Sequence, residues 1–513
     1  MADRGGAVTS RPARLTPISL RAVLPRPGVS GPPHGELGRR IGVLHLGVGA
    51  FHRAHQAVFT EDAAAATGAE GWGICGVTQR SPRVADQLLP QGCYYGLLER
   101  GRSTTGLRVV GQLGEVLHPA RDGERLAARF ADAAVRVISL TVTEKGYRRD
   151  RRGRLDLADD AVRADLAGVA PATTTVGLLV RGLQRRAAVA DAPVTVLTCD
   201  NLTGNGRVLR GLVADFCGAL PGAEGERLGA WIDQNVTFPN SMVDRIVPAT
   251  TEEDRSEAAA LLGLRDDALV VAEPFRQWVI EGRFAAERPA WELAGAQLVG
   301  DVEPFEQLKL RMLNGTHSML AYLGALAGHR TIAEAIADPA LAEAAAQLLT
   351  QDVAPTLSPP PGVDVGAYAR SVLERFANPA LAHRTTQIAM DGSQKLPLRL
   401  LGTVQDALDA GRTPRWAIRG VAGWMAYVAL RRDRNGAPLP LDDPLAAELE
   451  AAAAPAVDRG APAVVRGLLG LEAIFPPELA ASGAFVDCLT DELATLLAAT
   501  PGAPGPLRPS LPR

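Results

Sequence analysis

Four polar side chains of types that can carry out proton transfer follow one another closely between residues 301 and 324. They are Glu306, Lys309, Asn314 and His317. A lysine in a partly desolvated pocket has a lowered pKa and can act as acid or base near neutral pH. An asparagine amide can donate to a carbonyl oxygen as that oxygen gains charge, and a histidine can hold a substrate hydroxyl. The set predicts reversible proton transfer at a carbonyl or alcohol. A core helix with satisfied polar groups and a lysine that reaches solvent is the alternative.

An apolar pattern at helical spacing indicates that one helix, starting near Pro304, carries all four groups. Its apolar positions are Phe305, Leu308, Met312, Leu313, Met319, Leu320 and Leu323. At 100° per residue, His317 would lie about 80° and Asn314 about 140° around this helix from Lys309. Glu306 would lie one turn before Lys309, close enough for contact. Long side chains could then bring the amine, amide and imidazole to one point, with a carboxylate beside the amine.

A glycine turn near the start of the chain is a second candidate site. It joins a predicted strand, residues 41–46, to a predicted helix, and this arrangement can hold a dinucleotide pyrophosphate. Gly47 would allow the tight turn, and Gly49 would let phosphates approach the backbone. The residues expected around the cofactor are Gly47, Val48, Gly49, Ala50 and Phe51. His52 replaces the third glycine of the G-x-G-x-x-G pattern, so the pattern is incomplete. Arg53 could meet a phosphate or could be a solvated first-turn arginine.

Polar residues follow the next predicted strands, where a parallel sheet would face its ligand crevice. The strands are predicted at residues 72–77, 135–142 and 194–198. Thr143 and Glu144 follow the strand at 135–142 and are candidates for cofactor binding. Asn201 follows the strand at 194–198 and is a second amide candidate; an Asx turn that starts the next loop is the alternative.

The acidic residue that would bind a ribose 2′-hydroxyl is missing after the strand at 72–77. Thr78, Gln79, Arg80 and Ser81 stand there instead. Arg80 and Ser81 could accommodate a 2′-phosphate, so NADP is not excluded beside NAD.

The order of predicted elements indicates an α/β protein with two domains. Residues 38–300 predict a Rossmann-type dinucleotide-binding domain with an extended sheet, in which 235–248 and 271–284 add short strands on the far side. Residues 301–500 predict an all-helical domain for substrate binding and catalysis. The Arg-, Pro- and Gly-rich residues 1–37 are expected to be a mobile extension, and the Pro-rich residues 501–513 a loose tail.

Composition narrows the range of partners. The net charge of −3 provides no general attraction to nucleic acid or to an anionic membrane, and no apolar run is long enough to span a bilayer. The 5 cysteines are scattered without a C-x-x-C pair, which favours small core residues in a reducing compartment over disulfides or a zinc site. We expect a cytoplasmic protein with a small-molecule substrate and no metal, whose oligomeric state the sequence does not indicate.

Eight stretches of the chain resemble the long-chain mannitol dehydrogenase family, which includes fructuronate reductases. They are LGVGAFHRAHQA, TVTEKGY, CDNLTGNG, NVTFPNSMVDRIVPA, EPFRQWVIE, KLRMLNGTHSMLAYLG, RFANPALAHRTTQIAMDGSQKLP and GVAGWMAY. The resemblance implies a Rossmann-type domain, a helical C-terminal domain, NAD as cofactor, no metal and a lysine acid/base. The family pattern K-x-x-x-x-N-x-x-H falls on Lys309, Asn314 and His317. The family's strand-end asparagine falls on Asn201, and its glutamate beside the lysine falls on Glu306.

Within that family, three stretches resemble the fructuronate reductases, which interconvert D-fructuronate and D-mannonate: TVTEKGY, LRMLNGTHS and HRTTQIAMDGSQKLP. In the last stretch, Arg384 and Lys395 could pair with a substrate carboxylate, or could be surface charges beside a helix break at Gly392. A polyol 2-dehydrogenase acting on mannitol or arabinitol is the alternative. A non-catalytic dinucleotide sensor is a further alternative, although such a protein could dispense with the catalytic set of Lys309 and its neighbours.

Overall fold

The computed structural model describes residues 12–33, 39–150 and 152–499. The chain divides into two compact units, Met1–Glu303 and Pro304–Arg513. In the described part of the chain, no helix has the length and apolar composition needed to cross a bilayer.

All strands of the described residues lie in the first unit. They are β1 (Val29–Ser30), β2 (Ile41–Leu46), β3 (Gly73–Val77), β4 (Tyr95–Arg100), β5 (Thr105–Val110), β6 (Leu113–Leu117), β7 (Val137–Leu140), β8 (Val194–Thr198), β9 (Val236–Thr237), β10 (Ser241–Asp244), β11 (Val270–Ala272), β12 (Gln277–Glu281) and β13 (Gln297–Val299). Its α-helices are α1 (Pro17–Val23), α2 (Ala50–Ala54), α3 (Gln56–Thr67), α4 (Arg83–Leu88), α5 (Pro119–Phe130), α6 (Asp160–Ala167), α7 (Thr175–Val189), α8 (Asn205–Gly218), α9 (Ala223–Asn235) and α10 (Glu252–Leu262). Short 3₁₀ turns lie at Leu89–Gln91, Glu144–Tyr147 and Trp291–Ala294.

The main sheet of this unit has six parallel strands in the order β6-β3-β2-β7-β8-β9. Strands β3, β7 and β8 are buried along their whole length, as expected for parallel strands covered on both faces. The strand order reverses between β2 and β7, and Leu46 at the end of β2 is paired with both Val77 and Leu140. This is the doubly wound order of dinucleotide-binding sheets, so the predicted Rossmann-type domain is confirmed.

The expected short strands do not all extend this sheet. Only β9 joins it, beside β8. Strands β10, β12 and β13 form a separate three-stranded sheet, and β11 joins the four-stranded sheet β1-β5-β4-β11. The chain leaves the main sheet shortly after Thr237, where Pro239 has no N–H to continue the ladder. The prediction for residues 235–248 and 271–284 was therefore wrong for most of their strands.

The N-terminal residues 12–33 are ordered elements, not the mobile extension expected. Helix α1 begins with a capping box between Thr16 and Ser19, and β1 pairs in parallel with β5. Leu15 and Leu20 are buried in a small apolar core, and this burial offsets the entropy of ordering the segment. The rest of the predicted extension, at 1–11 and 34–37, lies outside the described residues, as does the predicted tail at 501–513.

The second unit is helical, as predicted. Its α-helices are α11 (Glu303–Leu308), α12 (Thr316–Leu326), α13 (Ile332–Ala337), α14 (Pro339–Gln347), α15 (Val365–Phe376), α16 (Thr385–Ile388), α17 (Gly392–Leu396), α18 (Gly402–Asp409), α19 (Arg415–Leu430), α20 (Ala446–Ala453), α21 (Ala461–Leu469), α22 (Pro477–Ala480) and α23 (Gly483–Ala499). Short 3₁₀ turns lie at Ala354–Thr356, Pro379–Leu381 and Ala454–Arg459. Three segments have π-helical hydrogen bonding: Lys309–Gly315, Leu348–Val353 and Pro397–Leu401. Helices α12 and α19 pack closely in the core, because Gly423 leaves room for Leu323.

Candidate functional site

The glycine turn between β2 and α2 is shaped by two glycines with different roles. Gly47 has φ of 103°, and a Cβ at this position would lie 2.1 Å from the carbonyl oxygen of Thr141. Glycine is therefore required at residue 47 by the fold itself. Gly49 has φ of −77°, and a Cβ there would meet its nearest neighbouring atom only at 3.8 Å. The protein leaves space over Gly49, where the first-turn N–H groups of α2 have no carbonyl partners within the helix.

Arg53 lies in the same short helix but has a structural role. Its guanidinium is buried, donates through Nη1 to the carbonyl of Ala268 and through Nε to the carbonyl of Gly49 at 3.3 Å, and lies over the ring of Tyr95. The prediction that Arg53 meets a phosphate is not supported, because its donors are directed at protein carbonyls. Nor is it a solvated first-turn residue.

Two buried histidines, which the sequence analysis did not select as site residues, pack against the glycine turn. His45 places Nδ1 2.8 Å from Ser139 Oγ and Nε2 2.9 Å from Thr141 Oγ1, and its ring stacks on that of His52 at 3.4 Å. Burial lowers the pKa of His45 to about 3, so the ring is neutral and links β2 to the end of β7. The signal in the sequence was a histidine inside an otherwise apolar strand.

A buried carboxylate joins the ends of β7 and β8. Asp200 accepts hydrogen bonds from the N–H groups of Val142 and Thr143, each at 2.9 Å, and from the Tyr147 hydroxyl at 2.6 Å. Burial raises the pKa of Asp200, while these donors act in the opposite direction. They hold Thr143 at a positive φ of 69°. The sequence analysis passed over Asp200, although an acid directly after a buried strand was the available signal.

Three of the predicted site residues are thereby brought to one edge of the sheet. Thr143, Glu144 and Asn201 are exposed and follow the neighbouring strands β7 and β8, and Gly47 follows β2 beside them. The Thr141 hydroxyl donates to the carbonyl of Gly47 at 2.8 Å, which fixes the glycine turn against this edge.

The region after β3 presents no carboxylate at the predicted ribose position. Thr78 is buried, and Gln79 accepts a hydrogen bond from the Thr175 hydroxyl at 2.9 Å. Arg80 and Ser81 are exposed, as binding of a 2′-phosphate would require.

In the second unit, the helix that carries Lys309 is continuous from residue 303 to residue 326 but changes form in the middle. The α-helical turns of α11 and α12 flank the π-helical segment Lys309–Gly315. The predicted separation of about 140° between Lys309 and Asn314 assumed an α-helix throughout. In a π-helix the N–H of residue i+5 bonds to the carbonyl of residue i, so residues five apart lie about one turn above each other. The wider turn therefore brings Lys309 and Asn314 towards the same face.

The polar groups of this helix are largely buried. Glu306 and Lys309 are 5% and 6% exposed, and His317 is 6% exposed. Within the described residues, the buried atoms Asn314 Oδ1 and His317 Nε2 meet no hydrogen-bond partner. Buried polar atoms are nearly always bonded, so these two atoms mark a place where a polar ligand would fit.

His317 is held by two rings. It stacks on Phe376 at 4.8 Å and meets the edge of His383 at 5.0 Å between ring centroids. Burial is the main cause that lowers the pKa of His317 well below its usual value, followed by nearby His383 and three cations. The imidazole is therefore neutral and can hold a hydroxyl group as donor or acceptor.

Three cationic side chains lie near His317, and only one of them was predicted from the sequence. Lys395 is one of the three cations, and its Nζ donates to the carbonyls of Met390 at 2.5 Å and Ile388 at 3.4 Å. The other two, Arg375 and Arg399, were missed, although Arg375 begins a stretch that carries the family resemblance and Arg399 lies two residues after the end of that stretch. Arg384, the other predicted carboxylate ligand, is exposed and forms a backbone bridge with Thr331.

Comparisons with known proteins cover nearly the whole described chain. The family model described as the mannitol dehydrogenase Rossmann domain matches residues 41–293, and that of the mannitol dehydrogenase C-terminal domain matches residues 301–497. The chain is 45% identical over 464 residues to D-mannonate oxidoreductase of Escherichia coli strain K12, covering 89% of this chain and 93% of the relative. It is 38% identical over 416 residues to polyol:NADP oxidoreductase of Gluconobacter oxydans strain 621H, covering 80% and 84% of the two chains.

A solved structure is also similar throughout. It is the ternary complex of Pseudomonas fluorescens mannitol 2-dehydrogenase with NAD and D-mannitol, which is 34% identical in sequence. The two structures superimpose with a TM-score of 0.84, covering 94% of this chain and 96% of the other.

Proposed function

The chain belongs to the mannitol dehydrogenase family, and we propose that it is an NAD-dependent oxidoreductase that interconverts D-fructuronate and D-mannonate. The observation that carries the proposal is the buried polar group on the helix of residues 303–326. Lys309 lies there with two buried atoms that lack partners, Asn314 Oδ1 and His317 Nε2, and with cations near His317. Such a group fits a polyhydroxylated anion better than an apolar ligand.

The glycine turn fits a dinucleotide. The backbone of Gly47 and the space over Gly49 leave room for a pyrophosphate at the start of α2. The residues proposed to hold it are Gly47, Val48, Gly49, Ala50, Phe51, Thr143 and Glu144. When bound, the nicotinamide supplies or accepts a hydride. NAD in the ternary complex of the similar mannitol 2-dehydrogenase supports NAD as the cofactor, and the exposed Arg80 and Ser81 favour NADP as the alternative.

Lys309 is the proposed acid in reduction and base in oxidation, because an ammonium can polarise a carbonyl and deliver a proton to its oxygen. The Asn314 amide would stabilise the alkoxide that develops. The same role is proposed for Asn201 on the family pattern alone. His317 would hold a neighbouring hydroxyl, and Glu306, one turn before Lys309, would relay protons between the amine and solvent.

A sugar acid is proposed over a neutral sugar because Lys395, Arg375 and Arg399 place positive charge around His317. A hydrogen bond to a charged group is worth about 1.5–3 kcal/mol, or roughly 10- to 150-fold in affinity. The second candidate is a polyol 2-dehydrogenase, favoured by the similarity to a structure solved with D-mannitol. We propose a cytoplasmic location, which the free cysteines, four of the five buried, support.

The test is a substrate panel read by the absorbance of the reduced coenzyme. Fructuronate, tagaturonate, fructose and xylulose are each offered with NADH and with NADPH. We expect fructuronate to be reduced at least about 10-fold better than fructose, with NADH preferred. Preference for fructose would overturn the proposal in favour of the polyol reaction, and binding of NADH without turnover of any sugar would favour a sensor.

A further inference from the structure

His383 is a partly buried residue of the second unit that the proposed mechanism does not use. Its ring meets the ring of His317 edge to face, at 5.0 Å and 65°. Its Nδ1 is buried and has no hydrogen-bond partner in the described part of the chain. The same is true of His317 Nε2 beside it and of Asn314 Oδ1 on the same helix as His317. Because buried polar atoms are nearly always bonded, three such atoms on neighbouring residues indicate room for a polar ligand.

The backbone holds His383 in place at the cost of local strain. The preceding residue, Ala382, has φ of 44°, a left-handed conformation that is unfavourable for alanine. The carbonyl of His383 accepts from the N–H of Ile332 at 2.9 Å, and Thr385 N–H donates to the carbonyl of Arg330 at 3.0 Å. These bonds on both sides of the imidazole fix its position, and strain retained in this way is characteristic of functional sites.

The chemistry next to His383 favours a negatively charged group. Burial, and then the charge of Lys395, lower the pKa of His383 to about 4, so at neutral pH the ring is uncharged and Nδ1 can donate one hydrogen bond. The Lys395 ammonium supplies the charge that a carboxylate requires, and its bonds to the Met390 and Ile388 carbonyls hold it in place.

We propose that His383 is a specificity-determining residue whose Nδ1–H donates a hydrogen bond to the carboxylate of the sugar acid, beside Lys395. The atoms without partners then match groups of such a substrate: Asn314 Oδ1 can accept from a substrate hydroxyl, His317 Nε2 can hold a second hydroxyl, and His383 Nδ1 meets the carboxylate. The inference rests on the proposed function and adds the residue that distinguishes an acid from a neutral sugar.

The experiment compares His383→Phe with His383→Asn in the full-length enzyme. Phenylalanine keeps the ring contact with His317 but cannot donate, and we expect KM for fructuronate to rise about 10- to 100-fold, the effect of one lost bond to a charged group. KM for fructose and the dissociation constant of NADH should stay within about 2-fold of wild type. Asparagine places an amide near the position of Nδ1 and should recover most of the loss. His329→Phe, in the adjoining segment, serves as the control and should retain the wild-type KM.

The outcomes separate the two proposals. If wild-type enzyme prefers fructuronate and His383→Phe keeps that preference, the inference about His383 is overturned and the proposed function stands. Equal losses with fructuronate and fructose, without recovery in His383→Asn, would make His383 a packing residue and also overturn it. A wild-type enzyme that reduces fructose and not fructuronate overturns the proposed function and this inference together.

Discussion

Lys309 is the residue on which the proposed chemistry depends. We expect Lys309→Ala to lower turnover by about 10²–10⁴, the usual range for loss of general acid–base catalysis, with NADH affinity near that of wild type. Lys309→Arg should be equally slow, because an arginine keeps the charge but does not release its proton. Turnover is measured at saturating coenzyme and sugar, with and without added small amines.

A nearby cation provides the control for Lys309. Arg311 lies on the same π-helical segment but pairs with Asp406, so Arg311→Ala should retain most of the turnover. If Lys309→Ala turns over at the wild-type rate, the acid/base group is elsewhere.

Lys395 and Arg384 were both expected to bind a carboxylate, and the structure gives them different surroundings. Lys395 lies near His317 and His383, whereas Arg384 is exposed. Lys395→Met should reduce the preference for fructuronate over fructose by about 10- to 150-fold. Arg384→Met, the matched control, should change it far less. The ratio of kcat/KM for the two sugars is the measurement, and a larger effect at Arg384 would contradict this assignment.

In the glycine turn, the fold requires glycine at residue 47, whereas the proposed cofactor site requires it at residue 49. Gly47→Ala places a Cβ against the Thr141 carbonyl at a positive φ, so we expect a clear fall in the thermal midpoint of unfolding. Gly49→Val should change the midpoint little, because the surrounding protein leaves space there, but should raise the dissociation constant of NADH sharply. Thermal unfolding and coenzyme titration of both variants test this. Unchanged NADH binding by Gly49→Val would remove the turn from the proposed site.

The π-helical segment Lys309–Gly315 packs against a second one at Pro397–Leu401. A Cβ on Gly315 would lie 2.6 Å from the carbonyl oxygen of Arg399. Gly315→Ala must therefore shift one segment, and we expect a fall in kcat with NADH binding unchanged, because the position of Lys309 depends on this turn. Gly218→Ala, in helix α8 with open space around it, is the control. Wild-type kcat in Gly315→Ala would show that the contact does not influence the site.

At the scale of the whole molecule, the lowered pKa of a buried histidine makes the free energy of unfolding depend on pH. The pKa of His55 is lowered from 6.5 to about 3, chiefly by burial. Below pH 6.5 the unfolded chain binds a proton that the folded chain does not, so this contribution to stability is complete above 6.5 and is lost as pH falls towards 3.

The variant His55→Phe removes the pH-dependent contribution of His55 to the free energy of unfolding. Between pH 6 and pH 4, the unfolding free energy of wild type should fall by up to about 1.4 kcal/mol per pH unit more than that of the variant. This difference in slope does not depend on how much the substitution changes stability at pH 7. Buried carboxyl groups with raised pKa, such as Asp200 and Asp266, act with the opposite sign but are common to both proteins. Urea unfolding at several pH values is the measurement, and parallel pH profiles would contradict the assignment.

The amino-acid sequence by itself determined the local elements and the fold class. Apolar runs such as residues 194–198, the glycine turn at 47–49 and the helical periodicity after Pro304 are local signals, because strand, turn and helix depend on neighbouring residues. The family motifs then indicated the residues for chemistry.

Only the tertiary structure decided which polar groups are directed inwards and what they meet. Arg53 is buried against Ala268, over 200 positions further along the chain, and no local pattern records that contact. The π-helical turn that brings Lys309 and Asn314 towards one face could not be predicted from the sequence either, because the same residues also fit an ordinary α-helix. Leu15 and Leu20, in a Pro-rich segment, are buried in one apolar cluster with the distant residues Leu107 and Leu262. Burial and partners between distant residues arise when elements pack, so they are properties of the folded chain.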